Sequence, residues 1–333
     1  MPASACLMNP MTCSSVNLLL RIALPVGCAD SSLLPWYGWR VAGHDVARDA
    51  FLNAAAPQAL PAAELAQRYA QLAAEALQGG APSSSAGGEQ PKFSAHVETP
   101  DGPRHVLVKF TLPEDNPVTA RWRDLLLAEH HALQTLSAAG VPAAASRVID
   151  HAGQRFLETQ RFDRVGALGR RGLLSLAAVE AEFVGGAGAA WPELTQRLAT
   201  PAANGKEAVI TPEAHAGATL LHAFGTLIGN TDMHAGNLSF LSDSGRPYTL
   251  APAYDMLPMA FAPRASGNLP DTPPPVHLRG IVPAATWRQA LALSADYLGR
   301  LRGEAGFTQG FGRCVEGLEG VWREVEGRVG RMG

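Results

Sequence analysis

The sequence lacks several features that mark particular classes of protein. No apolar run reaches about 18 uninterrupted residues, so no membrane span is expected. The four cysteines form no C-x-x-C pair, which argues against a zinc site or a disulfide framework and favours a reducing cytoplasm. Arg21 interrupts the apolar segment 16–28, and no Lys or Arg precedes it, so an export signal is not expected either.

A strong charge of either sign is also absent. The chain has 27 Lys and Arg against 30 Asp and Glu, a net charge of −3. Without a basic excess, direct nucleic-acid binding is not expected of this chain alone. What is present is a globular composition: 333 residues with 47% hydrophobic content can form a sizeable core in about two domains or lobes.

The pattern along the chain divides it into three parts. Residues 1–80 are predicted to be an N-terminal extension of uncertain fold, with a helical stretch ending at Gly79 and Gly80. Residues 81–163 are predicted to form a β-rich lobe, and residues 164–333 a larger lobe that is mostly helical from Leu173 onward. Two final helices are expected at about 284–298 and 309–330.

A glycine-rich stretch precedes a predicted β-hairpin in the first lobe. The stretch 81–93 contains Gly87 and Gly88, and the alternating residues after it predict two strands around Pro100-Asp101-Gly102, the second ending at Lys109. By composition the stretch could be a linker. A glycine-rich loop that leads into a hairpin can also cover phosphates with its backbone N–H groups.

A carboxylate is expected to meet Lys109 from a helix. Asn116 and Pro117 predict a helix start, and Gly140 predicts its end. Glu129 falls on the apolar stripe of this helix, and a carboxylate in that position needs a cation such as Lys109. A slightly rotated helix would instead leave Glu129 on the surface.

The most polar cluster in an apolar setting is "GNTDMHAGNLSF", residues 229–240, followed by "LAPAYDM", residues 250–256. Asp232 and Asn237 are five residues apart, and Asp255 is expected on the far strand of a short hairpin. Phosphoryl transfer needs a carboxylate near the attacking hydroxyl and oxygen ligands for Mg²⁺, and kinase catalytic loops have this same offset.

Plainer interpretations of these residues stay open. Asp232 could be a turn residue, and Asn237 could cap the strand that follows. His234 could be a packed histidine or a ligand contact. A metal site of His222, His234 and Asp232 is not supported by any zinc-type spacing.

Together, "SSSAGGEQPKF", "HVLVKF", "QRFDR", "GNTDMHAGNLSF" and "LAPAYDM" resemble the HipA-like serine/threonine kinases, the toxin halves of bacterial toxin–antitoxin pairs. The resemblance covers about residues 80–330. It implies an α/β (α+β), two-lobed protein-kinase-like fold, with a small β-rich N-lobe and a larger helical C-lobe. It also implies ATP and Mg²⁺ as cofactors.

The resemblance implies a role for each matching residue. Asp232 would be the catalytic base, with Asn237 and Asp255 as Mg²⁺ ligands, and Ser85 would be the position that becomes phosphorylated by the kinase itself. The implied nucleotide-binding residues are Gly87, Gly88, Gln90, Lys92, Lys109, Glu129, Gln160, Arg161, Phe162, His234, Asn237, Tyr254 and Asp255. Family members often have "HAKN" where this chain has "HAGN", so Gly236 removes a cation near the phosphates.

The resemblance also implies partners: a protein substrate, of which an aminoacyl-tRNA synthetase is the best-known kind, and an antitoxin protein. Two other functions remain. One is a small-molecule phosphotransferase of the aminoglycoside type, which predicts an acidic acceptor pocket near the C-terminus, where the glutamates are Glu304, Glu316, Glu319, Glu324 and Glu326. The other is a catalytically silent module that acts with an antitoxin on DNA.

Overall fold

The computed structural model describes residues 58–78, 90–185, 188–201 and 207–332. The helices are α1 (Leu65–Leu77), α2 (Pro117–Ala138), α3 (Leu176–Phe183), α4 (Trp191–Ala199), α5 (Pro212–Leu227), α6 (Ala284–Gly303) and α7 (Gly312–Val329). The strands are β1 (Lys92–Val97), β2 (Arg104–Phe110), β3 (Ser146–His151), β4 (Gln154–Gln160), β5 (Arg164–Val165), β6 (Gly169–Arg170), β7 (Leu173–Ser175), β8 (Ser239–Leu241) and β9 (Thr249–Leu250).

The N-lobe is a four-stranded antiparallel sheet in the order β1-β2-β4-β3. The predicted hairpin is present, with Val97 paired to Arg104 and Lys92 paired to Lys109. Alternate residues of β2 point to opposite faces. Val106, Val108 and Phe110 therefore face one side, and Lys109 faces the other.

Helix α1 covers the apolar face of this sheet. Leu65 and Tyr69 of α1 are buried in one cluster with Phe93, Phe110 and Phe156 of the strands. The described part of the predicted extension thus packs on the N-lobe. Residues 1–57 of the extension lie outside the described residues.

Helix α2 begins where the sequence predicts. The Asn116 side chain accepts a hydrogen bond from the backbone N–H of Thr119 at 2.9 Å, which satisfies one of the open N–H groups of the first turn. The helix ends at Ala138, and the next glycine, Gly140, has a φ of 75°, a conformation that favours glycine. Glu129 is 1% exposed and faces inward as expected.

The C-lobe is mainly helical around one large core. Helix α5 packs between α4 and α6, and α6 packs against α2 of the N-lobe and against α7. The largest fully buried side chains of this core are Trp191, Phe224, Phe240, Phe261, Trp287, Tyr297 and Phe311. Within the described ranges, no helix combines the length and the apolar character that crossing a membrane requires.

Two boundaries differ from the sequence-based expectation. Leu173–Ser175 is a strand rather than the start of a helix, because it pairs with β8 from a distant part of the chain. Helix α6 continues to Gly303, past the expected end near residue 298, because its last turns still pack Leu298 and Leu301 into the core. The other expected hairpin, β8 with β9, is present with Phe240 opposite Leu250. However, β9 ends at Leu250, so Asp255 lies in the segment after the strand and not on the strand as expected.

Candidate active site

Three charged side chains meet between the lobes, and we call them the cleft cluster: Lys109, Glu129 and Asp255. The ammonium of Lys109 on β2 donates to both carboxylate oxygens of Glu129 at 2.8 and 2.7 Å and to Asp255 Oδ1 at 2.5 Å. Lys109 is 6% exposed. The lysine–glutamate contact expected from the helix periodicity is therefore present, and it includes a second carboxylate from the C-lobe.

The charges of the cleft cluster stabilise one another. Burial lowers the pKa of Lys109, but Asp255 and Glu129 more than offset this effect, so its pKa is raised above the usual lysine value. Burial would raise the pKa of Asp255, yet Lys109 holds it below its usual range. The pKa of Glu129 is raised by burial, which Lys109 opposes only in part. Lys109 thus remains a cation.

Lys92 lies directly opposite Lys109 on β1 and is 8% exposed. Its ammonium forms no hydrogen bond or ion pair with any of the described residues. Burial and the charge of Lys109 lower the pKa of Lys92, while Asp255, Glu129 and Asp232 raise it. A buried cation in this situation is suited to an anionic ligand. Gln90, just before β1, is also buried.

The loop 229–240 places Asp232 and Asn237 beside the cleft cluster. The Asn237 side-chain amide donates to the backbone carbonyl of Asp232 at 2.9 Å, which fixes the two ends of the loop relative to each other. The Asp232 side chain is half exposed, and His234 Nε2 lies 3.9 Å from its Oδ1. Burial raises the pKa of Asp232, His234 opposes this, and Asp255 adds to it.

The backbone at position 236 makes a local hydrogen bond. The backbone N–H of Gly236 donates to His234 Nδ1 at 2.9 Å, so the proton of a neutral His234 lies on Nε2, the nitrogen that faces Asp232. Tyr254 donates its hydroxyl to the Gly236 carbonyl at 3.1 Å and also contacts Ser239 Oγ at 2.7 Å. His234 is therefore next to Asp232 rather than packed in the core.

Asp255 has an unusual backbone conformation. Its φ is 58°, in the left-handed region that residues other than glycine adopt uncommonly, although aspartate is found there more often than most. The carbonyl of Asp255 accepts a hydrogen bond from Asn230 Nδ2 at 3.3 Å. The backbone N–H of Asp232 donates to Asn230 Oδ1 at 3.0 Å. Asn230 therefore links the two aspartates.

The hinge, residues 160–162, joins the lobes behind the cleft cluster. The backbone N–H of Gln160 donates to the Ala145 carbonyl at 2.8 Å, and that of Arg161 donates to the His105 carbonyl at 2.9 Å. The Phe162 ring lies 6.0 Å from the ring of Tyr254. The backbone N–H groups of Gln160 and Arg161 are therefore both bonded within the N-lobe, and the Arg161 carbonyl accepts the N–H of Arg164 at 3.3 Å.

Sequence reasoning missed two residues that support this site. Asn230 precedes Asp232 in the quoted motif, and its nearly complete burial, at 3% exposure, is visible only in the fold. Trp191 donates its indole N–H to the His234 carbonyl at 3.0 Å. Trp191 is far from the loop in sequence, so no local pattern could have indicated it. The predicted Gly87, Gly88 and Ser85 lie outside the described residues.

The oxygen atoms of the site suit a hard divalent cation. Asp255 offers a carboxylate and Asn237 a side-chain amide, the ligand types that Mg²⁺ prefers. Among the described residues, no three His, Cys, Asp or Glu side chains are grouped to hold a metal by themselves.

A β-rich lobe, a helical lobe and the cleft cluster between them define a two-lobed, protein-kinase-like α/β fold. The family model for the HipA-like C-terminal domain matches residues 84–295. The chain therefore belongs to the HipA-like family, as its motifs indicated.

One relative is similar to this chain over most of its length. The chain is 38% identical over 297 residues to Toxin YjjJ of Escherichia coli (strain K12), a match that covers 89% of this chain and 65% of the relative. The chain thus spans about two thirds of the length of that relative.

Two solved structures are more distant. One is HipA from Shewanella oneidensis MR-1, solved with HipB and operator DNA, with a TM-score of 0.48 and 15% identity, covering 74% of this chain and 66% of that one. The other is the Helicobacter pylori proinflammatory kinase CtkA, with a TM-score of 0.46 and 14% identity, covering 71% of this chain and 90% of that one. Since both TM-scores are below 0.5, the family assignment rests on the family model.

Proposed function

We propose that this chain is an ATP- and Mg²⁺-dependent kinase of the HipA-like toxin type that phosphorylates a serine or threonine of a protein. The observation that carries the proposal is the cleft cluster. A strand lysine held by a helix glutamate and by an aspartate from the other lobe is the arrangement that kinases use to place ATP phosphates. Binding and positioning supply most of the catalysis in such a reaction.

Each side chain takes a part that its position supports. Lys109 and Lys92 bind phosphate oxygens, and Glu129 orients Lys109. Asp255 and Asn237 would hold Mg²⁺, which neutralises charge on the phosphates when it is bound. Asp255 contacts Lys109 through Oδ1, and the same carboxylate would hold the metal. The lowered pKa of Asp255 keeps it an anion for that purpose.

Asp232 acts on the acceptor hydroxyl. Its side chain is half exposed at the cleft, so an incoming serine or threonine can reach it. Its raised pKa makes it a better proton acceptor than an ordinary aspartate. His234 and Asn230 orient Asp232, and the bond from Trp191 steadies the same loop.

The proposal extends to regulation and partners. Self-phosphorylation at Ser85 rests on the motif around Gly88 and Gln90. Pairing with an antitoxin rests on the family, and on the HipA that was solved together with HipB. A translation protein such as an aminoacyl-tRNA synthetase is the substrate class we propose to test first.

The geometry supports an aminoglycoside-type phosphotransferase less well than it supports a protein kinase. That function needs unpaired acidic side chains around an acceptor pocket. Of the C-terminal glutamates, Glu304 lies 3.2 Å from His131, Glu319 pairs with Arg302 and Arg323, and Glu324 pairs with Arg328. Two of the five glutamates are thus matched by arginines within the C-lobe.

The test is incubation of the protein with Mg²⁺ and γ-labelled ATP, followed by intact mass and peptide mapping. Wild-type protein is expected to gain one phosphate within residues 83–85. Asp232→Asn should lose at least about 100-fold in rate, because the acceptor loses its base. Asp243→Asn is the matched control, since Asp243 lies on the turn after β8 and pairs with Arg171.

Each outcome has a distinct meaning. Labelling by Asp232→Asn at the wild-type rate would contradict the role given to Asp232. If the wild type neither binds ATP nor becomes labelled, the kinase proposal fails and the silent module takes its place. Nucleotide binding without self-labelling would keep the kinase and reject Ser85 as its target.

A further inference from the structure

Helix α2, which carries Glu129, also forms hydrogen bonds to the C-lobe from its N-terminal half. Asp124 is 1% exposed. Its carboxylate accepts the backbone N–H of Thr308 at 2.9 Å and the hydroxyl of Thr308 at 2.5 Å. Thr308 belongs to the loop between α6 and α7, so this bond joins the helix to the opposite lobe.

Arg121, one turn earlier, makes a second connection. Its guanidinium donates to the carbonyl of Phe261 at 3.1 Å and to that of Pro270 at 2.6 Å, and the residue is 5% exposed. Phe261 and Pro270 lie in the segment that follows Asp255. We call Arg121, Asp124 and Thr308 the α2 latch.

The latch gives α2 one preferred orientation. A buried carboxylate is costly unless its oxygens are hydrogen bonded, and bonds to a charged group are stronger than neutral ones. Rotating or sliding α2 away from the C-lobe would leave Asp124 and Arg121 buried without these bonds. Packing of apolar side chains alone would resist such a shift less sharply, because it is not directional.

Two residues of the latch, Arg121 and Asp124, lie on the same helix as Glu129 of the cleft cluster. Asp124 and Glu129 are five residues apart, a rise of about 7.5 Å along the helix. A movement of α2 at the latch is therefore transmitted to Glu129. We propose that Asp124 and Thr308 are positioning residues that keep Glu129 against Lys109, an inference that rests on the proposed kinase function.

The test removes one hydroxyl. Thr308→Val keeps the backbone N–H and the side-chain shape but loses the short bond to Asp124. Its kcat/KM for ATP is expected to fall about 10-fold or more, since small misplacements of catalytic groups have effects of this size. Thr308→Ser restores the hydroxyl and should recover most of the rate.

The matched control is Thr135→Val in the same helix. Thr135 is 2% exposed, and its hydroxyl bonds only within α2, to the His131 carbonyl at 2.8 Å. This control should keep the wild-type rate. A fall in rate equal to that of Thr308→Val would mean that any lost hydroxyl in α2 has the effect, and would overturn the inference.

A double variant tests whether the latch acts through Glu129. If it does, Thr308→Val should add little to the loss already caused by Glu129→Gln. If the fold losses in kcat/KM of the two single variants multiply in the double variant, Thr308 does not act through Glu129, and the inference fails.

Hydrogen exchange gives a measurement that does not need activity. Amides of residues 119–129 are expected to exchange about 10-fold faster in Thr308→Val than in wild type or Thr308→Ser. If wild-type protein proves inactive, the proposed function fails, and this measurement still decides whether the latch holds α2. Unchanged exchange in Thr308→Val would contradict the latch itself.

Discussion

Among the described residues, two tyrosines are fully buried, one in each lobe, and they differ in a hydrogen bond of the hydroxyl. Tyr69 donates its hydroxyl to Glu158 Oε2 at 2.5 Å. The hydroxyl of Tyr297 has no partner among the described residues. Burying an unpaired hydroxyl costs free energy, whereas a bond to a carboxylate recovers it.

Replacing each tyrosine by phenylalanine should therefore have opposite effects. Tyr69→Phe is expected to lower the free energy of unfolding by about 2 kcal/mol, because Glu158 loses a charged hydrogen bond. Tyr297→Phe should leave it unchanged or raise it by up to about 1 kcal/mol. Urea unfolding measures both, and equal losses would contradict the assignment of a partner to Tyr69 alone.

Single residues of the site differ in how well they could be foreseen. Glu129 was predictable, because helical periodicity placed a carboxylate on an apolar stripe. Asp232, Asn237 and Asp255 were predictable by spacing. Trp191 and Asn230 were not, since their contacts with the loop depend on how α4 and the loop pack.

At the level of elements, the hinge is fixed by a buried ion network. Asp163 lies just after the hinge. Its carboxylate accepts two hydrogen bonds from the Arg161 guanidinium, at 2.9 and 2.7 Å, and one from Arg164 at 2.5 Å. Burial would raise the pKa of Asp163, but the bonds and charges of Arg161, together with Arg164, lower it below its usual value. Burial and Arg161 lower the pKa of Arg164 to about 10.

This network predicts a dependence of stability on pH. Because the pKa of Asp163 is lower in the folded state, its contribution is fully present above about pH 4 and is lost as pH falls through the folded value. Asp163→Asn should lose about 3 kcal/mol at pH 7, since two arginines become unpaired. The difference from wild type should shrink below about pH 4 in thermal or urea unfolding. A gap that stays constant with pH would contradict this account.

On the scale of the whole molecule, helix α1 belongs to the N-lobe core. The backbone of Leu60 pairs with β1, donating to the His96 carbonyl at 2.8 Å, and Tyr69 contacts Phe93 and Phe156. The domain boundary predicted at residue 80 separates α1 from the sheet on which it packs.

Shortening the chain tests how much the packing of α1 on the sheet contributes to stability. A chain that begins at residue 58 should fold, whereas one that begins at residue 81 should be less stable by at least about 3 kcal/mol, because aromatic core residues lose their cover. Thermal unfolding with and without Mg-ATP compares the two. Equal melting temperatures would show that α1 is dispensable and that residue 80 is a true boundary.

The sequence by itself determined the order of the elements, the family and most of the charged residues of the site. These features follow from local periodicity, capping residues and short motifs, which act over a few positions. Only the tertiary structure decided that α1 covers the N-lobe sheet, that Leu173–Ser175 is a strand and that the α2 latch joins the lobes. Those contacts link residues far apart in the chain, so their energies depend on packing that no local pattern records.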